Sequence, residues 1–272
     1  MSSTPHPASL RRGIFFDEND RQYEFIQLIN GSGLHLNISP QPVPTITEAF
    51  FKGIPLASAE LLPGGLLAAD IAPAKWETPQ LFNDRQDENA ARLSVSNTFI
   101  LSRSPREKIS VTRTILCVAG NDSIIIKDHI TNNGSDPADI PPLCKIQLGP
   151  TLLDPSGYLS APDHPVVYAD NNGKWDRFLP SANTSTTEIY FHRLPADRDG
   201  FTHLRALLPA AGIKFHLSCR HAELPLIKET KCSDQNGCTL ILEPLASMPK
   251  NQPDSLLPPG ESREYMMILA IE

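Results

Sequence analysis

The residue with the clearest chemical setting is Glu243, a lone carboxylate that ends the apolar run Cys238-Thr-Leu-Ile-Leu242. It is followed by Pro244, by Pro249 and Asn251 in a loop, and by the turn Pro258-Pro-Gly260-Glu261. A carboxylate at a strand end can serve as a general base when an acid of complementary protonation state faces it across a bound molecule. Histidine is the natural acid near neutral pH. Of the eight histidines, His192 ends the strand-like run Glu188-Ile-Tyr-Phe-His192 and His164 sits in the turn Pro162-Asp-His-Pro165. His129, inside Asp128-His-Ile-Thr-Asn132, reads as an ordinary strand residue. Trp175 lies in the polar stretch Asn171-Asn-Gly-Lys-Trp-Asp-Arg177, where a large ring has little core to join and is a candidate platform for an apolar ligand face. Arg113 and Lys228 are candidates to bond a hydroxyl or an acidic ligand group, with a surface or edge-strand charge as the alternative for each.

Other chemistries lack their spacing. Gly149-Pro-Thr-Leu-Leu153 and Leu62-Pro-Gly-Gly65 read as turns and have neither phosphate-cradling glycine pattern. There is no Gly-x-Ser-x-Gly elbow, no His-Glu-x-x-His and no paired Cys-x-x-Cys, so neither a metal nor any other cofactor is expected. The net charge of −7 comes without a Lys/Arg stripe, which argues against nucleic acid as a partner. No apolar run approaches the roughly 20 residues of a membrane span. The N-terminal stretch lacks the apolar segment, roughly 7 to 15 residues long, of a secretory signal. Five cysteines form an odd set, which fits reduced thiols; Cys232 and Cys238 flank a hairpin turn and could face each other. A cytoplasmic protein, monomeric or homodimeric, is expected.

The elements that must carry these residues read as strands. Apolar and polar residues alternate over short spans separated by turn clusters, and 26 prolines are scattered between those spans rather than gathered in a linker. Tyr23 to Ile29 and Leu34 to Ile38 flank Asn30-Gly-Ser-Gly33, a hairpin signal. Lys108 to Val118 and Ser123 to Thr131 flank Ala119-Gly-Asn-Asp122, a second one. Further strands are predicted at Leu93 to Leu101, Leu143 to Leu148, Glu188 to His192, His203 to Leu208, Ile213 to Cys219, Cys238 to Leu242 and Arg263 to Ile271. A single helical turn is predicted at Ile46 to Phe51. The chain therefore reads as all-β: one large antiparallel β-sandwich over residues 13–272, preceded by a flexible N-terminal segment, residues 1–12.

Four stretches, in order along the chain, resemble the galactose mutarotase-like superfamily and its aldose 1-epimerase-like families. They are Gly33-Leu-His-Leu-Asn-Ile-Ser-Pro40 through Phe51-Lys-Gly-Ile-Pro-Leu56, then Arg113 through Asp128-His-Ile-Thr-Asn132. Leu143-Cys-Lys145-Ile-Gln147-Leu-Gly149 lies where the family writes Tyr-His-x-Asn-x-Gly. The Glu243 string, approached through Leu224-Pro225-Leu-Ile-Lys228, completes the set. The resemblance implies a supersandwich fold, a small-molecule carbohydrate as ligand, and Glu243 as the base that takes the anomeric proton. Lys145 stands at the family's acid position and Gln147 at its asparagine. A second family histidine has no match. The acid then falls to Lys145, His192 or His164, and Gln147, Trp175, Arg113, His164, Lys228 and Asn251 are expected to bind the sugar. The implied activity is interconversion of the anomers of a sugar or sugar acid; the alternative is a carbohydrate-binding or regulatory protein that kept the pocket and lost the catalysis.

Overall fold

The computed structural model describes residues 8–16, 20, 22–57, 67–68, 73–84, 91–102, 104–162, 166–169, 174–179, 185–235, 237–248 and 256–272. The strands are β1 (Ser9–Phe16), β2 (Gln22–Ile29), β3 (Leu34–Ser39), β4 (Thr45–Phe51), β5 (Ile54–Ala57), β6 (Leu67–Ala68), β7 (Lys75–Trp76) and β8 (Gln80–Asp84). Then come β9 (Arg92–Ser102), β10 (Lys108–Val118), β11 (Ser123–Asn132), β12 (Ala138–Asp139), β13 (Lys145–Leu148), β14 (Tyr158–Ser160) and β15 (Val166–Ala169). The chain closes with β16 (Thr186–Arg193), β17 (Phe201–Leu208), β18 (Ile213–Arg220), β19 (Leu226–Asp234), β20 (Gly237–Leu245), β21 (Leu256–Leu257) and β22 (Ser262–Ile271). No helix occurs among the described residues. Ile46 to Phe51, expected as a helical turn, belongs to β4, because Ile46, Ala49 and Phe51 face the core across a bulge that breaks the simple alternation. Ser9 to Arg12, placed by the sequence reading in the N-terminal segment, pair with β2 in β1.

Among the described residues, the larger sheet has 11 strands in the order β1-β2-β3-β4-β6-β13-β20-β19-β16-β15, with β5 on β4. The second has 9, in the order β14-β17-β18-β22-β11-β10-β9-β7, with β8 on β9. All the pairings are antiparallel, and β10 and β22 show the strict alternation of a sheet with one buried face. Leu36, Ile38 and Leu242 from the first sheet and Val111, Ile115 and Leu269 from the second belong to one apolar core.

The two predicted hairpins turn out to be tied together. Asn30 is fully buried, and its Nδ2 donates to Ser32 Oγ at 2.7 Å and to the Asn121 carbonyl at 2.9 Å. Its Oδ1 accepts from the Leu34 amide at 2.9 Å, while its carbonyl accepts from the Gly120 amide at 2.9 Å. One side chain thus closes the β2–β3 turn and joins it to the β10–β11 turn of the other sheet. Asn30→Ala leaves several of these groups unpaired, at about 1–3 kcal/mol for a buried one. We expect a loss of at least about 2 kcal/mol, read as a lower urea midpoint with unchanged slope.

Candidate functional site

Strand register collects the candidate residues into a row. Lys228 on β19 is the direct cross-strand partner of Glu243 on β20. On the other side of β20, Ile146 pairs with Leu242, so one step further along that register Lys145 stands opposite Glu243. Lys228 Nζ donates to Glu243 Oε2 at 2.5 Å, and Glu243 is nearly buried while Lys228 keeps about a quarter of its side chain, 27%, in solvent. The row Lys145, Glu243, Lys228 lies on the sheet's outer face, because Leu240 and Leu242, which alternate with Glu243, point into the core. Phe191, the β16 partner of Lys228, joins Leu226 and Leu245 in a small apolar cluster separate from the main core, flanked by Ile189 and Met248. In the next row Gln147 and Thr230 flank Ile241. Thr230 Oγ1 is buried without a hydrogen-bond partner. The face therefore sets a largely covered apolar cluster beside a cation–anion–cation row, with the Thr230 hydroxyl and the Gln147 amide in the next row.

His192 lies on the other side of the same strands. Its partner is Ile227, a core residue, and the strand alternation puts it with Tyr190, Glu229 and Lys231 rather than with Phe191 and Lys228. Its Nε2 is 2.7 Å from Glu229 Oε2, with both side chains essentially buried. Lys231 lies 4.0 Å from Glu229 and 3.0 Å from Glu188, and donates to the Lys174 and Arg177 carbonyls at 2.6 and 3.1 Å. Burial pushes the Glu229 carboxyl above its ordinary range, while the hydrogen bond from His192 and the charges of His192 and Lys231 oppose that shift. Trp175 meets His192 edge-on with centroids 5.1 Å apart. Two expected site residues therefore meet, but as a buried support for residues 174–177, with a sheet between them and Glu243.

Arg113 is also committed to the interior. Fully buried, it donates from Nε and Nη2 to the two oxygens of Asp128, both at 2.7 Å, and from Nη2 to the Leu143 carbonyl at 2.9 Å. Burial alone works against the charge, yet Asp128 and Cys144 beside it raise the guanidinium pKa above its usual value. The expected role in binding a ligand is replaced by bracing the two sheets. His164 and Asn251 fall outside the described residues. Sequence reasoning missed Glu229 and Lys231; their signal was the run Lys228-Glu-Thr-Lys231, where charges occupy both faces of a strand whose neighbours are buried. All five cysteines are free, and Cys232 and Cys238 are offset in register, pairing with Thr239 and Ser233. No cluster of metal-ligating side chains occurs among the described residues.

Solved structures share this architecture. A candidate aldose 1-epimerase of Klebsiella pneumoniae superposes with a TM-score of 0.75 at 12% identity, over 97% of this chain and 83% of that one. A galactose mutarotase-like protein of Clostridium acetobutylicum gives 0.62 at 10% identity, over 97% and 98% of the two chains. Galactose 1-epimerase of Lactobacillus acidophilus gives 0.62 at 8% identity, over 97% and 99%. At such identities the likeness concerns the fold, which is galactose mutarotase-like. A comparison with curated proteins finds no match. The family described as a domain of unknown function, DUF4432, matches residues 73–271, a span that carries the whole Lys145–Glu243–Lys228 row, and the chain belongs to that family.

Proposed function

We propose that this chain binds a carbohydrate on the outer face of its large sheet, over Phe191 and against the Lys145–Glu243–Lys228 row. The observation that carries this reading is the row itself: a nearly buried carboxylate between two lysine positions, beside an apolar cluster on the same face. Sugar rings present apolar C–H faces and directed hydroxyls, and this face offers partners for both. The ammonium of Lys228, paired with Glu243 and 27% exposed, is a charged donor for a ligand carboxylate, which favours a sugar acid over a neutral sugar. The name of the Lactobacillus acidophilus relative, galactose 1-epimerase, is a fold-level analogy in the same direction.

Interconversion of anomers is the second reading, favoured by the carboxylate–ammonium contact. Glu243 takes the proton of the anomeric hydroxyl, a lysine ammonium gives one to the ring oxygen, and the bond from the anomeric carbon to that oxygen breaks. The open aldehyde rotates and the transfers reverse on closure. With His192 behind the sheet, Lys228 and Lys145 are the described candidates for this acid, beside His164, which lies outside the described residues. Titration of the full chain with galacturonate and galactose is expected to show tighter binding of the acid, and Lys228→Met is expected to weaken it by about 10- to 100-fold, the scale of one charged hydrogen bond. Exchange between α and β anomers, followed by NMR, is expected to fall to the buffer rate in Glu243→Gln. Buffer-level exchange in the wild type with intact binding leaves the binding reading and removes the catalytic one; absence of binding to every sugar removes both.

A further inference from the structure

A cavity lies on the outer face of the large sheet, toward the β1 edge. It measures about 450 Å³ and is lined by Tyr23 and Phe25 of β2, Asn37 and Ser39 of β3, and Thr47 and Glu48 of β4. These residues alternate with Ile26, Leu36, Ile38 and Ile46, which are fully buried in the core, so the cavity faces away from the second sheet. It precedes residue 73, where the DUF4432 match begins. Three strand spacings, about 14 Å, separate β4 from Glu243 on β20.

The lining is built. Phe25 lies across its β1 partner Gly13, where a Cβ would stand 2.4 Å from the ring. Only glycine permits that approach, so the backbone of β1 fixes one side of the ring. Tyr23 is 41% exposed. Asn37 donates its amide to the carboxylate of Glu48, its cross-strand partner. Thr47 is the extra residue of the bulge beside them and bonds the Asn37 carbonyl at 3.1 Å, which turns Glu48 and Asn37 to one side. No lysine or arginine lines the cavity, and the remaining lining carboxylate, Glu24, is held by Arg12 at 2.6 Å.

We propose that this cavity is a separate binding site for a neutral saccharide. The two rings supply stacking surface, the Asn37–Glu48 pair supplies an amide and a carboxylate for neighbouring hydroxyls, and Ser39 and Thr47 add hydroxyl partners. Glu48, the lining carboxylate that no lysine or arginine of the lining faces, disfavours sugar acids, opposite to the preference proposed for the Lys145–Glu243–Lys228 row. The proposal stands independently of the reading of that row.

The test is an NMR titration of the full ¹⁵N-labelled chain with methyl β-galactoside, cellobiose, galacturonate and tetramethylammonium chloride. A neutral saccharide is expected to shift the amides of residues 23–25 and 37–39. Tyr23→Ala and Glu48→Gln are each expected to weaken that response by about tenfold, one stacking or hydrogen-bonding contact, and Glu243→Gln to leave it unchanged. Three results overturn the proposal: no shift in these strands with either neutral saccharide, shifts with tetramethylammonium alone, or an unaltered affinity in both Tyr23→Ala and Glu48→Gln.

Discussion

Arg113→Met is expected to lower the unfolding free energy by about 3–5 kcal/mol, because it takes the guanidinium partner from the fully buried Asp128 carboxyl. Arg113 and Asp128 are both fully buried cross-strand partners on β10 and β11, and the guanidinium also reaches the Leu143 carbonyl, just before β13 of the other sheet. The loss therefore combines an orphaned carboxyl with a broken tie between the sheets. Replacing both partners, Arg113→Met with Asp128→Leu, is expected to recover most of the stability, since a buried ion pair and an apolar pair of similar volume are often equivalent. Urea unfolding of the two variants decides the matter. A double variant as unstable as the single one would show that the carbonyl contact, and not the charge, carries the stability.

The second large effect concerns Glu229. Glu229→Ala takes the hydrogen-bond partner from the buried His192, while Lys231 keeps Glu188 and two carbonyls, and is expected to cost about 1–3 kcal/mol. The pH dependence has a definite sign. Because burial raises the folded-state pKa of Glu229 above its ordinary 4.5, the folded protein holds this proton when the unfolded chain has released it. Its contribution is fully present below pH 4.5 and is lost as pH rises through the raised value. The stability difference between wild type and Glu229→Gln is therefore expected to favour the wild type most at acid pH and to move toward the variant as pH rises. Urea midpoints of both proteins at pH 4.5 and 8 measure it, with the other carboxylates cancelling in the comparison. A difference growing in favour of the wild type toward pH 8 would mean that His192 and Lys231 outweigh the burial.

The long strands of the second sheet were legible because each buries one face: β9, β10, β11, β17, β18 and β22 match their predicted spans closely. Several of those missed, such as β7, β12 and β21, have two residues each and are too brief to show a period. In contrast β19, nine residues long and interior to its sheet, was missed because its run Lys228-Glu-Thr-Lys231 puts charges on both faces. β4 was misread because its bulge at Thr47 breaks the alternation and brings Ile46, Ala49 and Phe51 into helix-like spacing. For the site, the family resemblance grouped Glu243, Lys145, Gln147 and Lys228 with His192, Trp175, Arg113, His164 and Asn251; the register sets the first four in two adjacent rows of one face. The resemblance could not give the facing of His192, since the side of a sheet on which a residue lies depends on register, and a shift of one residue reverses it. Arg113 was misplaced for a related reason. An arginine in an alternating strand looks solvent-directed until the buried aspartate opposite it, fifteen positions later, is seen to neutralise it.

Lys228 and Glu229 are consecutive residues on β19, one on the outer face and one beneath it. If the outer face binds the proposed ligand, one peptide unit separates a residue open to selection by ligand from one fixed by folding. Under that proposal, variation in ligand preference would accumulate at Lys145, Lys228 and Thr230 while His192, Glu229 and Lys231 stay constant, so the two groups would diverge at different rates within the same three strands. A length change of one residue inside β19 would exchange their places, carrying an acid outward and a lysine inward, and would cost recognition and stability together.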